Sequence, residues 1–434
     1  MSSHPITSAG DWARHLLELL EVPAALSASP TESAPIADWA SSGAVPITGT
    51  PDQPLLPTGA GATAARGALL ALDAIAGPTG IQGHHLLAER AAITRWQAQA
   101  PWSLGGHCRA VRARDAWFAL SLARDSDLDL LPALTLDPSA VGWQQVHAWA
   151  CTLSAADTVA RCRLLGLPAG VIGETAATSL FTLQSDGAPR SRPLAGLRVV
   201  DLSSLWAGPL CANLLAHVGA RVIRVESVQR PDGGRRGIPE FDDLLHAGQR
   251  SIAFAPDGLS LLHRVVDSAD IVITAARPRG LASLGLDPMQ FLSSRPHGVW
   301  VQLSAHGSTG EEANWIGFGD DVAMSAGLVR WIDGVPVPVA DALADPLAGM
   351  HAAVAAAALA TRGGAHLLDL SLGQIAAATV LPQPQADPQM VQGHWTIDTE
   401  FGTRPVSAPR ARTCSQQARP FGADTAAVLA ELGV

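Results

Sequence analysis

The sequence predicts a doubly wound α/β domain in the second half of the chain, preceded by a smaller α+β region. Three observations carry this. Residues 197–202 and 220–225 are short, apolar, β-branched runs separated by an amphipathic segment, 208–218, that opens on Gly208-Pro209 and closes at Gly219. Proline fits a helix's first turn, where its missing N–H had no intrahelical partner, and glycine after the last turn supplies a left-handed cap. Strands and helices then alternate over ~180 residues, the pattern of a parallel sheet covered on both faces. Finally, 47% hydrophobic and 16% charged residues over 434 positions describe a globular chain long enough for two or three cores.

Taken in order, residues 11–20 have helical spacing. Residues 24–61 are rich in Pro, Ser, Thr and Gly and read as a flexible surface connection. Residues 64–76 and 84–99 return to helical periodicity. Residues 110–111 and 117–122 read as strands around the turn 112–116, and 125–134 and 142–165 as helices. Gly166-Leu167-Pro168-Ala169-Gly170 stops the last of these. A polar linker over 174–193 marks the expected division, with the small α+β region at 1–190 and the α/β domain at 191–434. In the latter, further strands are expected at 251–254, 270–273, 298–303 and 366–370. Helices are expected at 259–267, 288–293, 320–328 and 345–361, and from Ser371 onward. A Pro-rich tail, 382–420, should wrap the surface before a last helix at 423–432. No repeat of solenoid period is visible.

The net charge of −10 argues against general nucleic-acid binding, so an anionic ligand needs a local basic patch. Residues 1–20 lack a basic n-region and an unbroken apolar run, so a secretory signal is not expected. The most apolar later run, 352–360, is too short to span a bilayer. Five scattered cysteines without a CxxC pair predict a reduced, cytoplasmic protein, with no metal site expected. Open parallel sheets bind ligands at the carboxyl ends of their strands, which directs attention to Ser203-Ser204-Leu205-Trp206-Ala207-Gly208-Pro209. Glu226 sits where an acid would hold a ribose. The turn nevertheless lacks GxGxxG, whose glycines let a backbone approach a pyrophosphate, so a nicotinamide or flavin enzyme is disfavoured.

PLAGLRVVDLSSLWAGPLCANLLAHVGARVIRVE resembles the opening of the class III CoA-transferases, the family of formyl-CoA transferase, carnitine CoA-transferase and α-methylacyl-CoA racemase. Four further stretches keep that family's order and spacing. They are Gln249-Arg250-Ser251-Ile252, Arg277-Pro278 leading to Leu284-Gly285-Leu286, Gln302-Leu303-Ser304-Ala305-His306-Gly307, and Ala344-Asp345-Pro346-Leu347-Ala348-Gly349-Met350-His351. His366-Leu367-Leu368-Asp369-Leu370-Ser371-Leu372 resembles the strand-to-helix junction that follows. His107-Cys108-Arg109 through Trp117-Phe118-Ala119-Leu120 is similar to a stretch the family carries later in its chain. The resemblance therefore implies a Rossmann-like CoA-transferase domain with a second, smaller α+β domain whose order is permuted.

The resemblance also implies an activity: transfer of coenzyme A between an acyl-CoA thioester and a carboxylic acid through an aspartyl-CoA intermediate. Asp345 matches the family's nucleophile. On spacing alone it reads as a helix N-cap; inside the matched frame it reads as the attacking carboxylate. Leu205, Trp206, Ala207, Gly208, Arg250 and Arg277 match the coenzyme-binding positions. Acyl-CoA is then a substrate, no cofactor is bound permanently, and the partners are small molecules, with neither nucleic acid nor membrane. A homodimer is implied. Some basic and aromatic positions of the family are replaced here by Ser227, Gln249, Ala275, Ala276 and Ser283. Arg224, Arg230, Arg235, Arg236, Arg250, Arg277 and Arg279 leave a basic cluster. Where the racemase branch has a histidine, this chain reads Gly317-Phe318-Gly319-Asp320-Asp321, so transfer is favoured over racemisation or isomerisation. A catalytically degenerate scaffold is the reading from another class.

Overall fold

The computed structural model describes residues 7–26, 30–382 and 386–433. The chain opens with α1 (Ala9–Leu19), α2 (Pro35–Ser42), α3 (Gly61–Ala76) and α4 (Glu89–Thr94). Strands β1 (Cys108–Arg112), β2 (Trp117–Ser121) and β3 (Ala169–Val171) form a small antiparallel sheet. The main sheet is built from β4 (Thr182–Asp186), β5 (Arg198–Asp201), β6 (Arg221–Ser227), β7 (Arg250–Phe254), β8 (Ile271–Thr274), β9 (Val299–Ser304) and β10 (Ala365–Ser371). Its spatial order is β4-β10-β9-β8-β5-β6-β7. Every neighbouring pair is parallel except β4 and β10. The order reverses between β5 and β8, so the crevice beyond their carboxyl ends is the topological switch point.

Period-two alternation sorts the strand residues onto two faces. Val199, Ile271, Ile273, Val299 and Val301 join the core formed with α5 (Ala207–His217) and α7 (Ala344–Arg362). Val200, Val272 and Trp300 turn the other way, onto Leu262, Val265 and Phe291. The short helix α6 (Gly319–Ser325) precedes α7 in the chain. From Pro346 to Ala360, every residue of α7 is buried. A helix apolar on all sides belongs inside a protein, and alanine and glycine let its neighbours come close. A Cβ on Gly349 would lie 2.6 Å from the Ala207 carbonyl oxygen and 3.1 Å from Leu210 Cβ.

Several expectations need correction. The segment 24–61 is not a flexible connection: among its described residues are α2 and the buried Ile36, Trp39, Val45, Leu55 and Leu56, while 27–29 lie outside the described residues. Its polar residues act locally. Pro35 sits in the first turn of α2, and Ser33 Oγ accepts from the Ala9 N–H and donates to Asp38. Nor do residues 1–190 share one core. Trp12, Leu16, Trp39 and Leu69 belong to the same core as α5 and α7, whereas Val111, Phe118, Val146 and Val159 form another. The expected helix 84–99 is a 3-10 turn, Gly83–Ala88, followed by α4, which stops at Arg95 in the left-handed region. The expected helix 142–165 is two helices, Trp143–Ala150 and Ala155–Leu164. The linker 174–193 contains the edge strand β4, and the tail contains the strands Gln389–Val391, His394–Thr399 and Gly402–Pro405.

One succession occurs twice: a helix, a left-handed glycine, a short antiparallel hairpin and a long alanine-rich helix. It runs through α2, Gly43, the pair Gly49–Thr50 with Gln53–Pro54, and α3. It runs again through α6, Gly327, the pair Val329–Ile332 with Val335–Pro338, and α7. The two long helices pack on one another.

Gly349→Ala tests the tight approach of α5 and α7. The methyl gains ~1 kcal/mol of helix propensity, but forcing it against the Ala207 carbonyl costs about 1–3 kcal/mol. Urea unfolding is expected to show a net loss of stability. A more stable protein would mean that the interface gives way easily.

Candidate active site

Asp345 lies in the first turn of α7, where unpaired N–H groups and the helix dipole favour negative charge. Its own N–H donates to the Ala342 carbonyl at 2.9 Å. Its carboxylate accepts from the Gly319 N–H. Only glycine permits that approach, since a Cβ at 319 would stand 2.2 Å from the Ala342 oxygen and 2.7 Å from Asp345 Oδ2. Two non-glycine residues beside it, Ala340 (φ 58°) and Ala342 (φ 44°), are left-handed, a strain that persists only where the surroundings enforce it.

Further aspartates crowd the same place. Asp320 accepts from the Ala342 N–H at 3.0 Å and from the Ser103 hydroxyl. Asp321 accepts from Ser121 Oγ at 2.6 Å, and its other oxygen is buried without a partner. Asp341, fully buried, is gripped by Arg90 through Nε at 3.0 Å and Nη2 at 2.5 Å. Asp345 and Asp320 keep partial solvent contact, whereas Asp321 and Asp341 have none. Burial pushes Asp345 up to about 7; the Arg90 guanidinium and the Gly319 N–H oppose the rise, and the carboxylates of Asp320 and Asp341 add to it. Burial, with Asp341 adding to it, likewise lifts Asp320 to about 6.

The loop after β5 reaches the same helix. Ala207 touches Gly349, one turn beyond Asp345. Leu205 is left-handed at φ 69°, 45% exposed, and donates its N–H to Asp232 at 3.0 Å. Gly208 is required, because a Cβ would fall 2.0 Å from Ser203 Oγ. Trp206 is only 3% exposed, edge-on to Phe241 and beneath the Arg90 guanidinium, so its ring is core rather than a free face for a ligand.

The arginines separate into two groups. Arg277 follows β8 at the switch point, donates to the Asn314 carbonyl, and lies close enough to Arg279, Arg230 and Arg124 that they disfavour its charge, after burial. Among the described residues, Arg230, Arg277 and Arg279 make no ion pair, so a basic patch stands at the carboxyl ends of the strands. Arg250 is elsewhere. It pairs with Ile223 at the amino end of the sheet and bonds Glu431 at 2.6 Å, a carboxylate that also senses Arg198 and Arg221. Strand direction, invisible in a local motif, puts it on the wrong edge. Arg224 and Arg235 are likewise occupied, by Asp232 and Asp242 and by Glu226.

Asp232, Asp242 and His246 have metal-like spacing, with ligand atoms within 4.8 Å of one another. The Arg224 guanidinium already stands there, 2.6 Å from Asp232 and 3.0 Å from Asp242, and burial and that cation push His246 down to about 4. The trio does not fit a cation. His351 is fixed as a neutral ring: Nδ1 donates to the Leu347 carbonyl at 2.7 Å, and Nε2 accepts from Trp12 Nε1 at 2.8 Å. His306 lies edge-on to Trp315.

Residues 194–409 match the family model described as CoA-transferase family III. That stretch belongs to CoA-transferase family III. A succinate–glutarate CoA-transferase from Agrobacterium fabrum is 31% identical over 218 residues, which cover 45% of this chain and 54% of that protein. A succinyl-CoA–D-citramalate CoA-transferase from Chloroflexus aurantiacus is 30% identical over 199 residues, covering 42% and 49%. A solved CAIB/BAIF family protein from Brucella suis aligns with 25% identity over 49% of this chain and 65% of that one, at a TM-score of 0.42. The chain spans about half the length of the curated relatives it matches. No helix among its described residues is long and apolar enough to cross a membrane.

The family III frame makes the ionisation of Asp345 worth testing. Its folded value of about 7 lies above the ordinary 3.8, so the native state binds the proton more tightly than the unfolded chain. Native stability should therefore fall as pH rises from about 4 toward about 7. Asp345→Asn lacks this liability and is expected to gain stability relative to the wild type between about pH 5 and about pH 8, read by urea unfolding. An unchanged difference at the two pH values would mean an ordinary carboxyl.

Proposed function

We propose that this chain is an acyl-CoA:carboxylate CoA-transferase with Asp345 as its nucleophile. One observation carries the reading: within the family-matched region, Asp345 is a partly accessible carboxylate at a buried helix's N-terminus, one turn from the contact with the loop beyond β5. A carboxylate there can attack a thioester carbonyl, forming a mixed anhydride and releasing the CoA thiolate. The thiolate attacks the Asp345 carbonyl of the anhydride, giving aspartyl-CoA and the free donor acid. An incoming acid reverses the two steps and leaves as its CoA thioester. Covalent catalysis thus replaces one difficult exchange with several acyl transfers. The Gly319 N–H donates to the Asp345 carboxylate and so stabilises negative charge on its oxygens.

For the coenzyme, we assign the phosphates to Arg277 with Arg230 and Arg279, since guanidiniums bind phosphate in a bidentate manner. Leu205, Ala207 and Gly208 border the crevice through their backbone, Trp206 supports them from beneath, and Arg250 is left out. The rest of the reading follows from the resemblance. Acyl-CoA is a substrate rather than a resident cofactor, the protein is a cytoplasmic homodimer, and the second core, preceding the main sheet, is a small domain in permuted order. Racemisation finds no support from His351, which Trp12 and Leu347 occupy.

Incubation with an acyl-CoA followed by hydroxylamine is expected to leave a hydroxamate on the peptide containing Asp345. Asp345→Asn should give no adduct and lose CoA exchange by about a thousandfold or more while remaining folded. An Asp345→Asn protein exchanging CoA at the wild-type rate would end this mechanism.

A further inference from the structure

Arg90 comes from the part of the chain that precedes the family-matched region, yet it reaches into the carboxylate cluster. Its guanidinium grips both oxygens of Asp341 and stacks 4.6 Å from the Trp206 ring and 5.7 Å from that of Trp96. Trp206 belongs to the loop at the carboxyl end of β5, so one side chain ties that loop to the turn before α7. The turn itself is strained: Asp341 sits between left-handed Ala340 and Ala342. Through Ala342 it holds two of the clustered aspartates, its N–H donating to Asp320 and its carbonyl accepting from the Asp345 N–H. Ala340 is tied in turn by its N–H to Thr48 Oγ1 at 2.9 Å, again in the N-terminal part.

We infer that Arg90 is a positioning residue for the proposed CoA transfer, fixing the 340–342 turn through Asp341 and placing its positive charge beside Asp345. The inference rests on the reading of Asp345 as nucleophile. The charge has a clear task. The groups facing Asp345 are Arg90 from α4, Asp341 from the turn, and Asp320 and the Gly319 N–H from α6. Two of these are carboxylates, and a neutral Asp345 cannot attack a thioester. A guanidinium fits this work better than an ammonium, because its planar fork holds two oxygens at once while its faces lie against the indoles. Arg90 is also one of three N-terminal side chains that bond the acids around Asp345, with Ser103 on Asp320 and Ser121 on Asp321. The first part of the chain thereby completes the site.

The test compares Arg90→Gln and Arg90→Lys with the wild type in two measurements. The first is the pH profile of CoA exchange between an acyl-CoA and a carboxylic acid. The second is the titration of the Asp345 carboxyl by carbon-13 NMR of aspartate-labelled protein, assigned with Asp345→Asn. Arg90→Gln is expected to move both the Asp345 midpoint and the acidic limb of the profile to higher pH. It should lower kcat by about tenfold or more, with a smaller change in KM for acyl-CoA. Arg90→Lys keeps the charge, so the midpoint should return toward the wild-type value. It loses the fork, so kcat should stay below wild type. An unmoved midpoint and acidic limb in Arg90→Gln would overturn the inference even if the rate fell, since a merely structural role produces that pattern. If Arg90→Gln does not fold, Arg90→Lys decides: wild-type kcat and KM would overturn it. A wild type that exchanges no CoA would sink the transferase reading instead, and the NMR titration would still judge Arg90.

Discussion

The burial of α7 is the constraint on which the rest depends. Because the helix is enclosed on nearly every side, Asp345 is positioned by core packing rather than by a loop. Small residues make the enclosure possible. Gly349 lets α5 approach, Gly67 lets α3 accept Trp12, and the alanines between leave no side chain to hold the layers apart. Removing water from so much of a helix costs nothing where its residues are apolar. At its N-terminus, where the acids collect, the same burial becomes an electrostatic problem.

Neighbouring carboxylates resist being ionised together in a low-dielectric setting. The fold answers with one guanidinium, a glycine N–H, two serine hydroxyls and a backbone amide, each supplied by a different segment. This arrangement leaves Asp345 near neutrality rather than firmly ionised. In the proposed mechanism such a poise suits a carboxylate that attacks as an anion and leaves again when the anhydride and thioester break. The left-handed Ala340 and Ala342 are the conformational side of the same arrangement.

Much of this was legible in the sequence where periodicity acts over a whole element. The β5–α5–β6 unit, the later strands and α7 could be read because alternation and glycine or proline punctuation agree. The collinear motif singled out Asp345 and the 205–208 loop, and the structure brings both to α7. Three kinds of feature escaped. The edge strand β4 pairs on one side only and carries a single apolar residue, Leu183, so it has no apolar alternation to detect. Arg250 looked like a ligand in its motif, but only strand direction reveals that it faces the amino end. Arg90, within Leu87-Ala88-Glu89-Arg90-Ala91-Ala92, falls in the segment 84–99 expected as one helix, and nothing local connects it to Asp341, far along the chain. The doubled helix–hairpin–helix succession was hidden for a similar reason, since its two passages share the glycine between helix and hairpin and an abundance of small residues rather than a sequence motif.

Oxygen exchange into Asp345 tests the central claim most directly. In the proposed cycle the incoming acid attacks aspartyl-CoA, and when the CoA thiolate takes the acyl group, the bridging oxygen stays on the aspartate. Turnover with an acceptor acid labelled in its carboxylate with oxygen-18, followed by mass spectrometry of the peptide containing Asp345, should find heavy oxygen in that side chain. CoA transfer that proceeds while Asp345 remains unlabelled would contradict the account.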